Sequence, residues 1–528
     1  LINLFFVKQK LISFCLDNMK KQTAHIIGSG FAGLATAASL SQKGIDVTVF
    51  EKNQTIGGRA RQFQEQGFTF DMGPSWYWMP DVFEGFFNRF GKKGADYYDL
   101  KKLDPGFTIF FENDQRMDVP AELSGIYEMF ENLEKGSADK LRKFLKEGKY
   151  KYEVGVKDLV YRPNISFTEI LDPRLAMASL KLDVFKPFDK YVAKYFKHPF
   201  LRKLMEFPIL FLGAMPQDTP ALYSLMNYSA LTDGTWYPMG GMYKIVEAME
   251  SVALEQGVKF QTGAEVEKII VENKKAKGIQ VKGEEFRSDV TIASADYHHV
   301  DQFLLEKQNR QYTPKYWDKR HLAPSSLIFY LGVNKKIPKL NHHNLFFDTD
   351  FEAHAKAIYK DPSYPDDPLF YVCCPSKTDD SVAPIGSENI FILIPIAVNL
   401  EDNDELRQVY FDKVMTRLEK TTGTNVRKHI VYQKSYSVND FKKDYHSFKG
   451  NAYGLANTLF QTAIFKPKMK SKKVDDLYYA GQLTTPGPGV PPSLISGMVA
   501  ADLVGQQVFG LEKDFVKNAK DDLNKISI

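Results

Sequence analysis

The chain has 528 residues, too many for a single hydrophobic core, so two or three lobes are expected. With 44% hydrophobic and 25% charged residues it is an ordered globular chain rather than a disordered one. A net charge of only +4 gives no global case for nucleic acid.

The first stretch, LINLFFVKQKLISFCLDNMKKQ, carries charges inside its apolar part and no small-residue cleavage site, unlike a signal peptide. Met19 stands just ahead of the first expected strand. Residues 1–18 are therefore expected to stand outside the fold, as an upstream extension or alternative start.

Next comes AHIIGSGFAGLATAASLSQKGIDVTVFEKN, which reads as strand, Gly-rich turn, helix, turn and strand. Gly28, Gly30 and Gly33 have the GxGxxG spacing, and Glu51 closes the second strand. The first glycine suits a tight turn, and the second lets the backbone approach a pyrophosphate. The third allows close helix–strand contact, and the helix N-terminus faces the phosphates. Glu51 is placed to accept hydrogen bonds from ribose hydroxyls. In TIGGRARQFQEQGFTFDMGPSWYW, a nicotinamide domain has no use for Gly57-Gly58-Arg59 directly after that acid. A flavin protein has one: the glycines let the chain pass the cofactor, and Arg59 meets its diphosphate.

Residues 125–235 read as mainly helical. Between Lys140 and Lys203 there are 16 Lys/Arg against 7 Asp/Glu, in a stretch rich in Phe, Tyr and Leu. This is either a solvated helical face over ordinary core or a surface resting on anionic lipid, with aromatics dipping into the interface. DGTWYPMGGMYKIVEAMESVALEQGVKF gives a Gly-Gly turn, an amphipathic helix and a strand start. GAEVEKIIVENKKAKGIQVKGEEFRSDVTIASAD reads as hairpins ending in a small-residue strand, and His298 and His299 after it read as loop residues. From 320 to 440 the pattern is β-like, interrupted by a helix at 403–420.

The last block, AGQLTTPGPGVPPSLISG, follows the apolar run Leu477-Tyr478-Tyr479-Ala480 and precedes a small-residue helix. It contains no titratable group, and Pro491 and Pro492 suit the first turn of that helix. The three cysteines, Cys15, Cys373 and Cys374, show no metal spacing and no plausible bridge, so a reduced, cytoplasmic chain without a metal is expected. No apolar run reaches transmembrane length.

Together the blocks GSGFAGLATAASLSQKGIDVTVFEKNQTIGGRA, DGTWYPMGGM and AGQLTTPGPGVPPSLISG resemble the bacterial-type phytoene (carotenoid) desaturases, FAD enzymes of amine-oxidase-like fold. The resemblance runs from about 22 to 508, and Gln482 and Leu483 stand where small residues are commoner in that family. It implies an α/β fold with a Rossmann-like FAD-binding domain of the glutathione-reductase-2/amine-oxidase type. To this are joined a mixed β-sheet substrate domain and a helical membrane-associating subdomain. The FAD domain is expected at 22–90, 236–300 and 470–510, the substrate domain at 91–125 and 300–469, and the helical docking unit at 126–235. Beside the glycines, Glu51 and Arg59, the expected cofactor contacts are Phe31, Ala32, Lys52, Val266, Gly481, Gln482, Gly489, Val490 and Pro491.

The reaction implied is hydride transfer from phytoene to FAD, giving lycopene or a partly desaturated product. Asp233 is the acid nearest a family block and the candidate base. Electrons would pass to oxygen or a membrane quinone, on a protein peripheral to the inner membrane. Three rivals share the fold: a carotenoid cis–trans isomerase using reduced FAD, a flavin amine oxidase, and a flavin-free isoprenoid binder.

Overall fold

The structure is a computed structural model describing residues 22–157, 159–163, 183, 186–458 and 461–510. Residues 1–18 and most of 158–185 lie outside the described residues, and with them the middle of the basic stretch.

Five parallel strands form the first sheet, in the spatial order Leu477–Tyr479, Val290–Ala293, Thr23–Ile27, Asp46–Phe50 and Lys259–Gln261. The run TAHII is buried from its second residue onward, as a strand covered on both faces must be. On one face lies the helix Phe31–Gln42, buried from Phe31 through Ser41. Its composition explains the close fit. A Cβ on Gly33 would fall on the Gly28 carbonyl, and one on Gly497 would fall on the Ala32 carbonyl. Small residues thus let the helix lie directly on its sheet and against the C-terminal helix Val490–Phe509. Thr36 Oγ1 donates to the Gly497 carbonyl at 3.0 Å and ties the two helices together.

A second, seven-stranded mixed sheet runs Ile430–Tyr436, Ser325–Val333, Glu388–Ile396, Phe370–Cys373, His343–Phe347, Phe107–Phe111 and Arg116–Val119. Its neighbours are antiparallel except His343–Phe347 beside Phe107–Phe111. Ser325–Val333 is wholly buried because both faces are covered. Leu327, Phe329 and Leu331 share a core with the helix Asp404–Thr422, whereas Ile328 and Tyr330 point into the main core. A three-stranded antiparallel sheet, Val266–Glu272, Lys275–Val281 and Glu284–Arg287, flanks the first sheet.

Residues 123–233 are mainly helical where described, with Leu123–Leu133, Ser137–Lys157, Phe188–Tyr195 and Pro199–Glu206 as the principal helices. Of the two readings of this stretch, the described part fits ordinary core under a solvated face: Phe188, Tyr191, Tyr195 and Phe196 are buried, and the last three pack with Phe130 or Phe144. Lys190, Lys194 and Lys197 are left exposed on the surface. Among the described residues no helix is long and apolar enough to cross a membrane.

Candidate functional site

A cavity of about 440 Å³ opens between the two large sheets. One wall is built by the parallel sheet. Gly28 to Ala32, Glu51 to Asn53, Gly57 to Ala60, Val266, Gly481, Gln482 and Gly489 to Pro491 all line it. Residues from the first and last sequence blocks thus meet on one surface, whereas no residue of the middle block, 233–242, lines it. Gly33 does not line the cavity but sits beneath it, in contact with the Gly28 turn.

The Gly-rich turn is held from below. Glu51 Oε2 accepts from the Ser29 N–H at 2.9 Å and the Ser29 hydroxyl at 2.6 Å. Its Oε1 accepts from the N–H and the side-chain amide of Asn53, both at 2.9 Å. A Cβ on Gly30 would meet no atom within 4 Å, so this position faces open space. Both helices that begin here, after Gly30 and after Gly489, lack a side-chain cap; the first leaves its opening N–H groups for a ligand, whereas Pro491 and Pro492 leave the second only that of Val490.

Arg59 is half-buried, with its Nε enclosed. Its Nη2 donates to Ser447 Oγ at 3.0 Å, and its guanidinium lies over the Tyr445 ring at 5.1 Å. When the Gln482 amide is turned with its oxygen toward Arg59, that oxygen accepts at 3.0 and 2.9 Å while its nitrogen donates to the Tyr453 carbonyl. A small residue at 482 could not do this. Gly489 has φ +111, and a Cβ there would first meet Pro492 at 3.2 Å. Glycine is needed at 489 for its backbone conformation and for the opening turn of the helix.

Two expectations fail. Asp233 does not line the cavity: it ends a short π-helical turn, where its Oδ2 accepts from Ser229 Oγ at 3.0 Å. His298 and His299 are not loop residues but belong to a helical turn after the strand Val290–Ala293, and His299 lines the cavity. It stacks on His446 at 3.9 Å, and His446 Nε2 pairs with Glu265 Oε1 at 2.7 Å. Burial and the neighbouring cations hold His299 down at about 3.

Asp296, which sequence reasoning passed over, also lines this wall. Its carboxylate accepts from the His299 and Phe448 N–H groups at 3.1 and 3.2 Å. Burial pushes it up to about 6 against the opposing pull of Arg59. One signal was available: it follows a strand that neighbours the first strand, and ligands of parallel sheets bind beyond such strand ends.

Facing this polar wall is an apolar one, with Trp76, Trp78, Phe207, Leu345, Phe347 and Tyr371. Behind it, Trp76 stacks on His343 at 4.1 Å, and the Tyr371 hydroxyl meets His343 Nδ1 at 2.6 Å. His342, His343 and Cys373 bring candidate ligand atoms within 4.8 Å of one another, although their spacing shows no metal pattern. The pairing of His343 opposite Cys373 across two strands is what joins them.

The comparisons agree with this geometry. The model of flavin-containing amine oxidoreductases matches residues 31–505. The carotenoid 3,4-desaturase of Haloarcula japonica is 40% identical over 93% of this chain and 100% of its own length. The zeta-carotene-forming phytoene desaturase of Myxococcus xanthus is 31% identical over 90% of this chain and 92% of its own. The chain belongs to the flavin-containing amine oxidoreductases, among the carotenoid desaturases. In fold it is similar to putrescine oxidase, with TM-score 0.59 and 12% identity, covering 92% of this chain and 99% of that one.

FAD is the cofactor of this oxidoreductase, and the residues present fit it. The open space at Gly30, the two uncapped helix starts, and the buried, unpartnered Arg59 Nε and Ser294 Oγ form a cradle rich in donors. Bound there, FAD supplies a hydride acceptor. Arg59 and the first helix would hold the diphosphate, and Glu51 would fix the turn beneath it. The Gly489–Pro491 helix start, where Val490 alone of the first three helical residues carries an N–H, would direct its dipole toward the flavin ring. Around them the aromatic wall excludes water.

Proposed function

We propose that this enzyme desaturates a long isoprenoid polyene, taking a hydride from a CH–CH unit to FAD with loss of a neighbouring proton. The observation that carries this reading is the character of the second wall. Among the described cavity-lining residues, the carboxylates and the Lys and Arg side chains are Glu51, Lys52, Arg59, Glu265, Asp296 and Asp444. All of them come from the parallel sheet, the chain that follows its strands, or the Asp444 segment that contacts Arg61 and Asn53. The aromatic wall offers no ionic anchor. His354 on it is neutral, with Nε2 meeting the Pro395 carbonyl and Nδ1 accepting from the Leu369 N–H. An amine would carry its ammonium onto that wall without a counter-charge. A polyene requires none, because each buried CH₂ contributes about 0.8 kcal/mol.

Phytoene, with lycopene or a partly desaturated intermediate as product, is the substrate implied by the three motif blocks. A second reading rests on the identities. At 40%, the carotenoid 3,4-desaturase stands well above the phytoene desaturase at 31%, which favours 3,4-desaturation of a carotenoid. The proposal extends to a membrane-dissolved substrate, reached through the exposed lysines of the 126–235 unit, and to oxygen or a quinone as final acceptor.

The test is to load the purified protein with FAD and give it phytoene or lycopene in liposomes, in parallel. Longer-wavelength absorption from phytoene identifies the first reading, and from lycopene alone the second. A change confined to cis–trans isomer bands identifies an isomerase. Peroxide release from amines, with both polyenes unchanged, would overturn the proposal.

A further inference from the structure

We propose that Lys466 is a positioning residue for the flavin, its amine lying behind the Gly487–Gly489 loop and favouring the cofactor's negatively charged reduced form. This inference rests on FAD as cofactor and not on which polyene is the substrate.

Lys466 is 2% exposed, and among the described residues its Nζ has no hydrogen-bond partner. An ammonium without a counter-charge is among the costliest groups to bury, so an uncompensated one asks for an anion. Its surroundings show where that anion would be. A Cβ on Gly487 would lie 3.2 Å from Lys466 Nζ and 2.9 Å from Asn457 Oδ1, so the amine packs directly against the loop. The next residues of that loop, Pro488, Gly489 and Val490, line the cavity, and Val490 begins the helix whose uncapped N-terminus opens there. One layer of backbone therefore separates the amine from the cavity.

The groups facing it are the neutral Asn457 carboxamide and the Gly487 backbone. Burial alone holds Lys466 down at about 7, with no charged side chain among the described residues acting on it. Near neutral pH the amine is then poised between its two forms. A negative charge arriving across the loop pulls it toward the ammonium, and Nζ takes one proton from solvent. The hydride and its two electrons come from the substrate C–H bond, and no bond to Lys466 other than that N–H is made or broken. Across the loop and in this dry setting, such an interaction would be worth about tenfold in the equilibrium.

The test is the midpoint potential of the bound flavin from pH 6 to 9, in the wild type, Lys466→Met and Lys466→Arg, with flavin content and thermal unfolding alongside. Below pH 7, Lys466→Met should lie lower by about 30 mV, which is tenfold for a two-electron couple. The gap should close toward pH 9, and Lys466→Arg should keep the high potential throughout. Lys466→Gln, which retains a polar head beside Asn457, should behave as the Met variant does and guards against a packing failure. Superimposed potentials for the wild type and both neutral variants would overturn the proposal, including the case in which Lys466→Met simply melts higher. So would loss of flavin from the neutral variants but not from Lys466→Arg, because the charge would then serve the oxidised cofactor.

Discussion

Glu51 grips Ser29 twice, through its backbone N–H at 2.9 Å and its hydroxyl at 2.6 Å, so the acid that ends the second strand shapes the Gly-rich turn after the first. Replacing Glu51 by Gln turns one acceptor oxygen into a donor among four donors. A buried N–H is then left unmatched, at a cost of about 1–3 kcal/mol. Glu51→Gln and Glu51→Ala should both lower the unfolding temperature of the flavin-free protein and weaken FAD at least about tenfold. Flavin titration beside thermal unfolding checks this, and wild-type affinity in either variant would contradict it.

The glycines of the turn should separate by role. Gly30 has ordinary backbone dihedrals and open space at its Cβ position, so Gly30→Ala should leave the flavin-free protein within about 0.5 kcal/mol of wild type. The new methyl would occupy the cradle, and flavin content should collapse. Gly33→Ala puts a methyl on the Gly28 carbonyl beneath the helix. It should destabilise even the flavin-free protein, by about 2 kcal/mol or more. Equal unfolding temperatures for the two variants would refute the distinction.

Asp296 gives a pH signature. Burial raises its carboxyl to about 6, against an ordinary value of 3.8. Between those values the native state binds the proton more tightly than the unfolded chain does. Stability from this group is therefore fully present below pH 3.8 and is lost as pH rises through 6. Asp296→Asn cannot titrate, so its stability should fall less between pH 4 and pH 7 than the wild type's, by up to about 3 kcal/mol. Unfolding of the flavin-free proteins across that range measures it, and parallel curves would show that the carboxyl is not strained by burial.

Exposed Lys190, Lys194 and Lys197 sit above a buried aromatic layer, so the proposed attraction to a membrane would act here through charge and not through insertion of these aromatics. Each lysine near an anionic surface is worth about 1 kcal/mol. Reversing all three to Glu should cut sedimentation with anionic vesicles at least about tenfold at low salt, and little at high salt. Thermal stability should not change. Undiminished sedimentation would mean that this face is only solvated.

Several features of this protein are local chemistry and were legible in its sequence. The strand–turn–helix–strand around Gly28, Gly30 and Gly33 follows from neighbours in the chain. So does the helix that starts at Val490 with Pro491 and Pro492 in its first turn. The apolar runs that became Ser325–Val333, His343–Phe347, Phe370–Cys373 and Glu388–Ile396 are strands for the same reason. Other features depend on residues far apart in the chain, which only the packed fold brings together. Arg59 meets Gln482 and Ser447 and feels the charge of Asp296, and His299 lies on His446. Burial was likewise decided by packing: the aromatics at 188–196 read equally well as a membrane face until Phe130 and Phe144 closed over them. Asp233 stood beside the right motif and still missed the cavity, because its π-helical turn holds the carboxylate on Ser229. Proximity in sequence sets backbone conformation over a few residues, whereas side-chain direction and desolvation are settled only when distant segments pack against one another.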